Sequence, residues 1–168
     1  MNPPVTRDAV DEILEQWTEE RPELDTASLG VVIRVMSLYR DFLRQATQAL
    51  EQVELELFEY DVLSALRRQG KPYSLPATGL ARATGLSSGA MTNRVDKLEA
   101  RGLVKRRRDE QDRRGVVVSL TPRGRRKIDA AIQLRLDVAD ESLADISPAE
   151  RARLAALLRK VCLAAEDD

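Results

Sequence analysis

The sequence predicts a mainly α-helical protein with one small β-hairpin, and three observations predict it. Apolar residues recur at helical spacing through most of the chain. Arg21-Pro22, Gly70, Gly85, Gly102 and Thr121-Pro122 fall where the periodic segments stop or start. Two strand-like runs, residues 103–107 and 116–120, flank the polar turn RDEQDRRG. Hydrophobic residues make up 43% of the 168 and aromatic residues only 4%, so the core must be aliphatic.

The first helix is expected over about residues 6–19. Thr6 can cap it, and Asp8, Asp11 and Glu12 suit its positive end. Val10, Ile13, Leu14 and Trp17 share one stripe. Asp25 or Thr26 caps a long helix reaching about residue 50, with Leu29, Ile33, Met36, Arg40 and Leu43 along its inward stripe. A third helix, about residues 56–69, turns Leu57, Tyr60, Leu63 and Leu66 inward and ends at Gly70. After Leu75-Pro76 comes a short helix with Leu80 and Ala81 inward and Gly85 beyond its end. Ser87 or Ser88 caps the next, which buries Met91, Val95 and Leu98 and stops at Arg101-Gly102. These two short helices and their glycine-containing turn read as helix–turn–helix. The hairpin follows. Thr121-Pro122 opens a helix to about residue 139. Ser147-Pro148-Ala149-Glu150 is a capping box opening the last helix, striped with Leu154, Leu157, Leu158, Val161 and Cys162.

This order is a winged helix–turn–helix lobe inside an all-helical frame. The expected divisions are N-terminal helices over 1–55, the lobe over 56–121 and C-terminal helices over 122–168. Both flanks carry apolar stripes with little else to pack on, so they are expected to build a two-fold homodimer.

Charge separates the lobe from the rest. Between Arg82 and Lys127 stand fourteen Lys/Arg and five Asp/Glu, a local net charge of +9. The whole chain carries −1, which leaves −10 elsewhere. A basic lobe on an acidic body is the footprint of a nucleic-acid binder. Outward Ser87, Ser88, Thr92, Asn93 and Lys97 on the second helix of the pair are candidates for the major groove. Lys105 and Arg107 alternate onto one face of the first wing strand, and Arg113 and Arg114 sit at the wing tip with Asp112 beside them.

Other function classes fall away. The chain has no histidine, which removes imidazole catalysis and histidine metal ligands. Ser87-Ser88-Gly89 has no base partner, and no carboxylate cluster has metal spacing, so no enzyme, metal or cofactor is expected. The single cysteine, Cys162, excludes an internal disulfide, fits a reducing cytoplasm and is expected to pack inertly. No apolar run of about 18 residues spans a membrane, and the acidic N-terminus lacks the apolar core of a targeting segment.

EYDVLSALRRQG, LARATGLSSGAMTNRVDKLEARGLVKRR, DEQDRRGVVVSLT and TPRGR, in this order, resemble the multiple antibiotic resistance regulator (MarR) family over residues 56–127. The resemblance implies a homodimeric transcriptional regulator, usually a repressor that a small ligand releases from a pseudo-palindromic site. A narrower resemblance is to the urate-responsive HucR/PecS-like subgroup. It implies a pocket for a small anionic ligand, urate or an aromatic acid, involving Trp17, Asp61, Arg94 and Arg106.

The residues themselves leave alternatives open. Arg106, alternating inward from Lys105 and Arg107, needs an acid or an anion, and Asp61 is the natural candidate. That pair is either a structural contact or a sensing site. Trp17 either pins the first helix to the frame, the simpler role, or stacks on a ligand. A constitutive regulator without a ligand, and a helical oligomerisation module without sequence-specific DNA binding, are the rival readings.

Overall fold

The computed structural model describes residues 7–109 and 115–166. In order these form α1 (Ala9–Glu20), α2 (Ala27–Glu51), α3 (Leu57–Arg68), β1 (Ser74–Pro76), α4 (Ala77–Thr84), α5 (Ser88–Ala100), β2 (Val104–Arg108), β3 (Val116–Leu120), α6 (Pro122–Ser142) and α7 (Pro148–Glu166). The chain divides into two compact units, residues 1–45 and 46–168.

In the first unit the cap of α1 is Asp8; the expected cap, Thr6, lies outside the described residues. Asp8 Oδ1 accepts from the backbone N–H of Val10 and Asp11 at 3.0 and 3.1 Å, and Asp11 Oδ2 accepts from the Asp8 N–H at 2.8 Å. This reciprocal box satisfies otherwise orphaned donors. Both acids also receive Arg34 from α2, whose Nε lies 2.8 Å from Asp8 and Nη2 2.6 Å from Asp11. Gly30 lets the two helices approach, since a Cβ there would stand 2.7 Å from Leu14 Cδ1. Asp25, one of the two expected caps of α2, accepts from the Ala27 N–H.

The second unit holds the main core. Leu63, Leu66, Leu80, Met91, Leu98, Leu103 and Ile128 are fully buried there. The core crosses the expected boundary at residue 121, because Ile128 and Ala131 of α6 belong to it. The helix–turn–helix forms as its sequence indicates, with Gly85 at φ +67° ending α4 and the Ser87 hydroxyl capping α5.

The expected two-stranded hairpin is a three-stranded antiparallel sheet in the order β1-β3-β2. Ser74 pairs with Ser119 and Pro76 with Val117 on one side of β3, and Val104 with Leu120 and Arg108 with Val116 on the other. β1 is three residues long and ends in proline, too short to show alternation and suited only to an edge. Strand and helix are then stitched together. Thr121 Oγ1 accepts from Gly124 N–H at 3.0 Å, capping α6, and donates to the Gly102 carbonyl at 2.7 Å.

Several stripes expected to face inward are exposed. Leu29, Met36 and Leu43 of α2 are open to solvent, as are Ile13 and Trp17 of α1. The Ser147–Glu150 capping box forms, yet Leu154, Leu157, Leu158 and Val161 of α7 are exposed, and so is Cys162, which was expected to pack. Periodicity identifies residues that share a face; it does not say what covers that face. Among the described residues, no helix is long and apolar enough to cross a membrane.

The tightest point in the second unit is Gly124. A Cβ there would lie 2.8 Å from the Leu103 carbonyl carbon and closer still to its oxygen, both backbone atoms. Gly124→Ala is therefore expected to destabilise the protein by roughly 1–3 kcal/mol or more. The check is a urea unfolding midpoint, which should fall while the dependence on denaturant stays the same.

Candidate nucleic-acid interface

α5 is set in place by a buried carboxylate. Glu59 of α3 is only 2% exposed. Its Oε2 accepts from the Glu56 N–H at 3.0 Å and from Arg101 Nη1 at the end of α5. Arg101 Nη2 donates to the Glu54 carbonyl at 2.6 Å, so one guanidinium ties the end of α5 to the segment leading into α3. Removing one partner from such a pair typically costs about 3–5 kcal/mol, because the other charge stays buried.

With its apolar stripe buried, α5 turns Ser88, Thr92, Asn93 and Lys97 to solvent. Thr92 Oγ1 donates to the Ser88 carbonyl at 3.0 Å, which leaves its lone pairs and methyl group outward. Ser87 serves chiefly as the cap, accepting from Ala90 N–H at 3.3 Å. Lys97 rests its ammonium 5.5 Å from the centre of the Phe58 ring, and the Arg94 guanidinium lies 4.9 Å from the same ring. These cations are steadied by an aromatic face before any phosphate is present.

Lys105 and Arg107 of β2 are exposed. The wing-tip residues Asp112, Arg113 and Arg114 lie outside the described residues.

Arg106 does not pair with Asp61. Its Nη2 donates to Asp96, its Nε stands 3.4 Å from Glu99 Oε2, and its backbone N–H donates to Glu99 Oε1 at 3.0 Å. Both acids belong to α5, so the inward cation of β2 fastens the wing to the helix beside it. The signal was in the sequence. Asp96 and Glu99 stand ten and seven residues before Arg106, one helix turn apart, across the tight turn at Gly102.

Asp61 lies in a different setting. Desolvation raises its carboxyl above the ordinary range, opposed by the charges of Arg94 from α5, Arg135 from α6 and Arg68 from its own helix. As a residue Asp61 is exposed, so its desolvation is partial. Asp61 and Arg94 are thus brought together and Arg106 is not. Arg135, which sequence reasoning missed, sits on a helix assigned to the frame and falls in no motif. Trp17 belongs to the first unit and is 44% exposed.

Comparison with known proteins follows the same lines. A sequence profile of the MarR family matches residues 54–115. The HTH-type transcriptional regulator PecS of Dickeya dadantii (strain 3937) is 32% identical over 154 residues, covering 90% of this chain and 92% of PecS. A mutant of MarR from E. coli, solved in complex with operator DNA, is similar with a TM-score of 0.69 at 26% identity, over 86% of this chain and 96% of that one. Bordetella bronchiseptica BpsR, solved to explain regulation of its DNA binding by 6-hydroxynicotinic acid, is similar with a TM-score of 0.62 at 28% identity, over 77% and 98%.

The setting of Asp61 has a consequence for stability. A carboxyl whose folded pKa exceeds its unfolded pKa weakens the fold above both values, and the fold regains that stability as pH falls through the folded pKa. Asp61→Asn is expected to raise the melting temperature at pH 7. The gain should shrink to nothing below the unfolded carboxylate range. Melting curves from pH 3 to pH 8 check it; a gain that persists at the acid end would assign it to packing instead.

Proposed function

The chain belongs to the MarR family of DNA-binding transcriptional regulators, and we propose that it acts as a homodimeric repressor on a pseudo-palindromic operator, released by a small anionic ligand. The observation that carries this reading is the joined reading head. The outward polar face of α5 and the basic strand β2 are fastened together through Arg106, Asp96 and Glu99. Ser88, Thr92 and Asn93 are small and polar enough to reach base edges, while Lys97, Lys105 and Arg107 contact phosphate and set the register. Arg113 and Arg114 enter the minor groove, with Asp112 positioning them.

The frame supplies the second copy. Residues 56–121 read DNA, and the helices of 1–55 and 122–168 dimerise. Leu157, at 52% exposure, and Val161, at 67%, lie on an apolar face of α7, and α2 exposes Val31, Val35, Met36 and Tyr39. Burying them against the same faces of a second copy removes an apolar surface too extensive for a stable lone chain.

Asp61 and Arg94 form the centre of the ligand site. Arg94 stands two residues from Asp96, so an anion that draws Arg94 aside acts on the helix that Arg106 holds. Urate and aromatic acids fit this charge pattern, and the DNA binding of BpsR is regulated by 6-hydroxynicotinic acid. A second reading, a regulator without a ligand, is favoured by Arg106 having both its acids within the chain.

Two outcomes are expected. If each subunit neutralises about four phosphates, log K against log[salt] should fall with a slope of about −7 in gel shifts on the chain's own upstream region. A slope near zero would remove the DNA reading. Replacing Leu157 and Leu158 together with glutamate should abolish the dimer in sedimentation and leave unfolded or aggregated protein. A stable folded monomer would show that α7 does not build the interface.

A further inference from the structure

The direction in which α5 faces away from the protein is set by its buried stripe. Met91, Val95 and Leu98 point into the core. At about 100° per residue, the opposite side of the helix passes through Asn93, with Gly89 one turn before it. Both are exposed. A Cβ at Gly89 would meet nothing within 4 Å, so the helix backbone is bare at this point. Asp96, the next residue toward the same side, has its charge answered by Arg106.

Hydrogen-bonding capacity then separates Asn93 from its neighbours. Ser87 is committed to the cap, and the Thr92 hydroxyl donates to the Ser88 carbonyl. Arg94 and Lys97, the two cations within α5, lie 4.9 and 5.5 Å from the centre of the Phe58 ring. Asn93 makes no side-chain hydrogen bond among the described residues. Its amide carries a donor and an acceptor on adjacent atoms, which is the pattern that complements N6 and N7 of adenine in the major groove. The Ser88 hydroxyl has one oxygen and cannot span both atoms. Guanine presents two acceptors there and calls for arginine or lysine, and both such side chains of α5 would have to leave Phe58 to supply it.

We propose that Asn93 is a specificity-determining residue that reads one adenine in each half-site, and that Gly89 sets the depth at which it reads. The inference rests on the DNA-binding reading above and names the base selected. Asn93 Oδ1 accepts from the adenine N6 amino group, and Nδ2 donates to N7. The asparagine side chain is short, so the helix must come close to the groove floor, and a side chain at position 89 would hold it off. A guanine at that position leaves Oδ1 without a donor, and a pyrimidine offers only one polar group.

Selection of sites from a random-sequence DNA pool by the full chain, followed by competition titrations with single-base variants of the selected site, tests this. Wild type should select adenine at one position of each half-site and lose roughly tenfold in affinity when another base stands there. Substituting 7-deazaadenine, which removes only the N7 acceptor, should cost roughly threefold or more. Asn93→Ala should bring the four bases at that position within about twofold of one another and leave the other positions and the salt slope unchanged; loss of a phosphate contact would instead reduce the slope by about one. Gly89→Leu, for which the fold has room, should weaken the selected site roughly tenfold and random DNA little. Melting curves establish that each variant is folded. Asn93→Ala that keeps the wild-type base preference at every position overturns the assignment and leaves the DNA reading standing. Full affinity with 7-deazaadenine overturns the two-bond contact, and Gly89→Leu binding as wild type does overturns the role of Gly89. Wild type that selects no sequence overturns the whole proposal, and if its salt slope is also near zero the DNA reading falls with it.

Discussion

The Glu59 carboxylate, held between the start of α3 and the end of α5, is the contact on which the helix–turn–helix lobe depends. It completes the N-terminal turn of α3 through the Glu56 N–H and fixes the last turn of α5 through Arg101. Arg101 also occupies the Glu54 carbonyl, at a residue whose own φ of +48° is unfavourable without such a partner. A charge this deeply buried is stabilising only when it is fully bonded, so the position of α5 is decided sharply.

From Arg101 onward the structure is fixed by short steps. Gly102 turns the chain, Arg106 returns from β2 to Asp96 and Glu99, and Thr121 closes the circuit by bonding to the Gly102 carbonyl and to the first turn of α6. Helix, wing and following helix are thereby locked as one body. Rigidity of that kind serves a DNA reader, because base edges and phosphates must be met at set distances from a single scaffold. Lys97 and Arg94 resting on Phe58 extend the same economy to side chains that would otherwise wander.

Most of this lobe was legible in the sequence because its signals are local. Ser87, Gly85, Gly102 and Thr121-Pro122 each state their role through cap or turn chemistry, and Met91, Val95 and Leu98 state theirs through spacing. β1 was not legible, since three residues ending in proline carry no period. The Asp61–Arg106 expectation failed because it sought an acid for the inward cation on a distant helix and passed over Asp96 and Glu99, which the chain's own turn brings nearer. Arg135 was hidden for another reason: nothing in the local sequence of α6 distinguishes an arginine that lies over Tyr60 from one that faces water. Likewise the stripes on α2 and α7 announced a buried face, and the second surface that a face requires is not written beside it.

The close approach of Gly124 to Leu103 has a bearing on the gene as well as the fold. Every amino-acid replacement at that codon introduces at least a Cβ, and the obstacle is main chain, which no neighbouring substitution can trim. Most codons in a helix drift through a series of tolerable residues. This one has no such path: any missense change meets the same carbonyl, so only silent changes pass. A mutational scan would find here a column of uniform loss beside exposed neighbours such as Arg123 and Arg125, where variation is absorbed by solvent.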